Sequence, residues 1–107
     1  MNITTGWLVA RGGLHDARVL DATVGPTSVR ISIDDEWANE HQSGDRLSPG
    51  TMVFETAAIL AGDVAALAGG WISEVGCQGN AVVFDFCDRD RLVIDAQAAV
   101  WEHNHAS

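Results

Sequence analysis

An all-β, mainly antiparallel fold follows from three observations. Apolar and polar residues alternate over several short segments, Gly79-Asn80 marks a two-residue hairpin, and turn residues punctuate the chain between the segments. The pattern predicts six or seven strands in a meander that closes into a barrel-like sheet or a small sandwich, with at most one short helix. At 107 residues the chain has room for one domain and one core. The expected domain is 1–107, with a short disordered polar tail from about His103 onward.

A short strand is expected at Trp7–Ala10, ended by Gly12-Gly13. Ala17–Val24 and Val29–Ile33 alternate with period two, and Gly25-Pro26-Thr27-Ser28 between them is a turn, so the two form a hairpin. Residues 34–50, DDEWANEHQSGDRLSPG, lack periodicity and read as a loop, the longest irregular connection. Thr51–Thr56 returns as a strand that continues to about Ile59. Gly62 interrupts the Ala-rich stretch beyond, which leaves a loop with one helical turn over Asp63–Leu67.

The last third carries the clearest pattern. Trp71–Cys77 and Ala81–Cys87 flank Gly79-Asn80, with Val82, Phe84 and Phe86 on one face. Asp88-Arg89-Asp90-Arg91 turns the chain into Leu92–Trp101, where Leu92, Ile94, Ala96, Ala98 and Val100 share a face. The hairpin register places Cys77 opposite Val82 and Cys87 opposite Ile72. The two cysteines are thus too far apart for a disulfide, and free buried thiols in a reducing compartment are expected.

The formal net charge is −9, from 15 acidic residues and 6 arginines, with no lysine. Nucleic acid and anionic membranes require a basic footprint, so neither is an expected partner. The balance suits a basic protein partner, though a GC-rich genome writes a similar composition. No apolar run reaches the ~18–20 residues of a membrane helix, and the N-terminus lacks the pattern of a secretion signal, so a cytoplasmic location is expected.

No nucleophile elbow, phosphate loop, zinc-protease helix or dinucleotide fingerprint occurs; no catalytic residue, cofactor or metal is assigned. His15-Asp16, read in an extended segment, points its side chains to opposite faces, where a structural role is favoured over a catalytic one. Asp34, Asp35 and Glu36 ahead of Trp37 form the densest acidic run. They lack the spacing of a calcium loop; a solvated strand end is the plain reading, and an acidic lip with an aromatic anchor for a basic partner is the alternative to it. Of the four tryptophans, Trp37 and Trp101 are expected to be exposed: the first lies in the loop, the second out of phase with its strand. His15 and Trp101 are the candidates for lining a ligand pocket. Two copies could also pair through unprotected strand edges as a homodimer.

The segments Leu14–Val19, Val29–Asp34, Met52–Glu55 and Leu92–Asp95 carry a resemblance. Over Leu14 to Trp101 the chain resembles small uncharacterised bacterial β-proteins, including immunity-protein-like families of polymorphic toxin systems. That resemblance implies a compact non-enzymatic β-fold that binds, and often neutralises, a partner protein. It supplies no catalytic residue. Two alternatives stand beside it: a small-molecule binder or enzyme with a Trp-lined pocket, and an orphan mobile-element protein with a structural, homo-oligomeric role.

Overall fold

The computed structural model describes residues 2–10, 12–15, 17–34 and 50–103. The chain order is helix α1 (Thr5–Ala10), a 3-10 turn (Gly12–Leu14), strands β1 (Arg18–Val24), β2 (Ser28–Asp34) and β3 (Gly50–Ala61), a second 3-10 turn (Val64–Ala66), then β4 (Ile72–Gln78), β5 (Ala81–Phe86) and β6 (Leu92–His103). All pairings are antiparallel, in one sheet ordered β1-β2-β3-β6-β5-β4. The expected all-β fold with one short helix is what the chain adopts. Two three-stranded meanders are joined where β3 pairs with β6.

The sheet curls until its two edges meet at one corner. There the Val19 N–H donates to the Gly70 carbonyl at 2.9 Å, the Gly69 N–H to the Val19 carbonyl at 2.8 Å, and the Ile72 N–H to the Ala17 carbonyl at 2.8 Å. Curling puts one face of every strand around a common core that includes Ile31, Met52, Phe54, Ile72, Phe84 and Ile94, each essentially inaccessible. Phe54 and Phe84 meet edge to face across it, with centroids 6.0 Å apart.

Local chemistry fixes the turns. Gly25 donates to the Ser28 carbonyl at 2.7 Å in the β1–β2 hairpin. Gln78 pairs with Ala81 and Cys77 with Val82 around Gly79-Asn80, the register expected from the sequence. Asp63 caps the second 3-10 turn by accepting the Ala65 N–H at 3.0 Å, while Val64 and Leu67 bury beneath it.

Three expectations are corrected. The Trp7–Ala10 segment is helical, because the Thr4 hydroxyl accepts the Trp7 N–H at 3.0 Å and caps a turn that buries Trp7 and Leu8. His103 belongs to β6, paired with Gly50, and not to a tail. Trp101 is 2% exposed, inside the core against Trp7 with centroids 5.3 Å apart.

The reason for Trp101 lies in mid-strand. On β3 the core-facing residues are Met52 and Phe54, then Ala57; on β6 they are Ile94 and Ala96, then Ala99 and Trp101. Both strands therefore change parity between the pairs Phe54↔Ala99 and Ala57↔Ala96. Thr56, at φ 52°, is the hinge of that change. Period-two reading from Leu92 carries the wrong phase past it.

Candidate functional site

The expected acidic lip begins at Asp34, the last residue of β2, which is half-buried and lies opposite Arg18 of β1. Asp35, Glu36 and Trp37 lie outside the described residues. So does Asp16. Its neighbour His15 sits in the turn after Leu14, not in a strand, and its Nδ1 lies 2.8 Å from the Ser73 carbonyl. A carbonyl only accepts, so Nδ1 carries the proton and the ring is fastened to the outer edge of β4.

The exposed tryptophan among the described residues is Trp71, at 36%, and not Trp101. It stands at the corner where the sheet edges meet, opposite Arg18. The Arg18 guanidinium lies 4.1 Å from the ring centroid, and Asp88 accepts the Trp71 N–H at 3.0 Å. Cation–π contact and carboxylate together close the corner on its solvent side.

Electrostatics across the described surface are one-sided. Arg30 pairs with Glu102 at 2.9 Å, Arg89 with Asp88 at 3.2 Å and Arg91 with Asp85 at 2.6 Å. Arg89 also donates to the Ala66 carbonyl at 3.0 Å, which ties the loop before β6 to the second 3-10 turn. Arg18 covers Trp71. All four described arginines thus have partners within the chain, whereas Asp21, Glu55, Asp63, Glu74, Asp90 and Asp95 are exposed carboxylates without an ion pair among the described residues.

Three surface clefts lined by described residues accompany this charge. One of about 430 Å³ lies between the second 3-10 turn and the Cys87–Asp90 loop, with Asp63, Asp88 and Arg89 on its walls. Another, of about 380 Å³, separates α1 from β4 and has Leu8, Val9, Val75 and Cys77 as apolar walls. The third, about 200 Å³, lies on the outer face of β4 and β5 beside Gly76 and Val83. Of the sequence-selected residues that are described, Asp34, His15 and Trp101, none lines these clefts.

Both cysteines are free, as expected; Cys77 is half-buried and packs against the core, whereas Cys87 is exposed and not the expected buried thiol. No group of three or more His, Cys, Asp or Glu among the described residues is placed to hold a metal ion. The α1–β4 groove is hidden from the sequence pattern, which makes Trp7–Ala10 a strand. Its signal was Thr4 ahead of Trp7 and Leu8, a capping residue before a helical apolar pair.

Within the described residues no helix is long and apolar enough to cross a membrane. No protein-family model, curated protein or solved structure matches the chain.

Proposed function

We propose that this protein is a non-enzymatic acidic binding protein, of the immunity or antidote type, whose partner is a more basic protein. The observation that carries the reading is the distribution of charge. The chain's formal charge is −9, and its described arginines are each held by a carboxylate, a carbonyl or an aromatic ring of the same chain. Among the described residues little positive charge is left to face outward, and with the net charge of the chain this favours a cationic partner and speeds its encounter. The acidic run Asp34, Asp35, Glu36 with Trp37 is the proposed anchor: carboxylates steer, and a tryptophan fills a pocket on the partner.

The test is capture of partners from a host lysate on the immobilised protein at low and at high salt, with identification by mass. A basic protein held at low salt and released at high salt supports the reading. Retention of nothing but the protein itself overturns it and favours a structural homo-oligomer.

A further inference from the structure

We infer that the groove between α1 and the free end of β4 receives an extended, basic and apolar segment of the partner, which lies beside Cys77 with an apolar side chain on Leu8 and Val9 and a cationic one near Glu74. This inference rests on the reading of the protein as a binder of basic partners and adds the place and chemistry of the contact.

The backbone of β4 is the first support. Gly79-Asn80 is a two-residue hairpin loop, so Gln78 and Ala81 exchange hydrogen bonds and the groups of Cys77 point away from β5. Outward groups nearer the start of the strand are already covered. Ile72 donates to Ala17, Ser73 faces His15, and Gly13 packs so closely that a Cβ on it would lie 3.6 Å from the Val75 carbonyl. Gly13 holds φ 66°, which favours glycine, and so lets the 3-10 turn press on the edge. Among the described residues this cover ends at Cys77. No hydrogen bond to its outward groups occurs among the described residues. A strand edge left open beside an apolar groove is a site for an added extended segment.

The groove supplies the second support. Its volume of about 380 Å³ accommodates a large aliphatic or aromatic side chain, and Val9 stands 72% exposed at its lip. Charge decides the occupant. Among the described residues Glu74 is the charged one lining the groove, and its side chain lies against Gly13. Across the strand pair, Asp85 is neutralised by Arg91, but Glu74 has no cationic partner among the described residues. A cation beside an apolar residue fits this wall; an acidic segment is repelled by it and by the net charge of the whole chain.

The probe is a synthetic acetylated peptide, Arg-Leu-Arg-Val-Arg amide, with its Glu-Leu-Glu-Val-Glu counterpart as control, titrated into the isotope-labelled protein. Amide shifts concentrated at Leu8, Val9, Gly76 and Cys77 with the basic peptide alone are expected. E74R and V9E, both changes at exposed side chains, should each weaken binding about tenfold, while spectra of the free variants report that the fold is intact. Shifts that map to another acidic surface overturn the groove but leave the basic-partner reading in place. Equal binding of both peptides overturns the charge argument. Absence of any response to the basic peptide overturns the groove as a site, and lysate capture then decides the wider reading separately.

Discussion

Trp101 lies over Gly50 so closely that a Cβ on Gly50 would stand 2.2 Å from Cζ2 of the indole. The two residues are diagonal neighbours across the β3–β6 ladder, and the glycine is what lets the largest side chain of β6 turn inward. Nothing at the tip of a flexible side chain could yield here, because the obstacle is a ring held in the core against Trp7. Gly50→Ala should therefore cost about 3 kcal/mol by overpacking. Urea unfolding followed by tryptophan emission measures it; a loss below ~1 kcal/mol would mean that the indole has another place to go.

Thr56 gives the opposite expectation. A β-branched residue at φ 52° is strained by roughly 1–2 kcal/mol, and glycine takes that conformation without steric conflict. Glycine also gains freedom in the unfolded chain, which offsets part of the relief. Thr56→Gly should raise stability by about 0.5–1 kcal/mol, read as a higher urea midpoint at unchanged slope. A fall in the midpoint would show that the threonine side chain contributes something the strain conceals.

The corner formed by Arg18 and Trp71 is testable by removing the charge and keeping the stem. Arg18→Met should cost about 0.5–1 kcal/mol, the scale of an exposed cation–π contact. Amide exchange at Val19, Gly69 and Ile72, whose N–H groups bond across the corner, should quicken more than at Ile31. Uniform quickening would instead indicate loss of global stability, with no special part for the corner.

On the outer edge of β1, the Asp21 carboxylate accepts the Ala22 N–H at 2.9 Å beside an irregularity in the β1–β2 register at Val19/Asp21. A charge and a bulge on an edge both discourage strand addition. Asp21→Val should leave the monomer folded and increase its concentration-dependent association, measured by light scattering after gel filtration. An unchanged mass across the concentration range would remove Asp21 from any protective role.

The sequence disclosed strands wherever local pattern and local structure agree. Val29–Ile33, Ala81–Phe86 and the Gly79-Asn80 turn depend on neighbours a few residues away, and all took the expected form. The 3-10 turn after Asp63 did likewise, since one carboxylate caps it. What escaped depends on distant partners. Trp101 is buried because Thr56, on another strand, changes the phase of the ladder; Trp71 is exposed because the sheet curls there onto β1. His15 stands out in the sequence for its neighbour Asp16, yet its Nδ1 lies against a carbonyl 58 positions away, which no local spacing reveals. Of the acidic lip only Asp34 falls among the described residues, so the groove at Cys77 is the surface the fold itself brought to notice.

The strand order also shapes how the chain comes together. β1 and β2 zip through a short turn, as do β4 to β6, and the longer connection 35–49 brings β3 onto β2; of the strand ladders, β3–β6 unites the most distant residues, from Gly50↔His103 to Ala61↔Val93. Local pairing precedes remote pairing because loop closure charges the longer contact more entropy. Each half thus forms a fluctuating three-stranded template early, and the barrel-like sheet exists only once the two templates meet along that ladder. The seam between them, with Phe54 beside Ala99 and Met52 beside Trp101, is the pairing that loop closure places last.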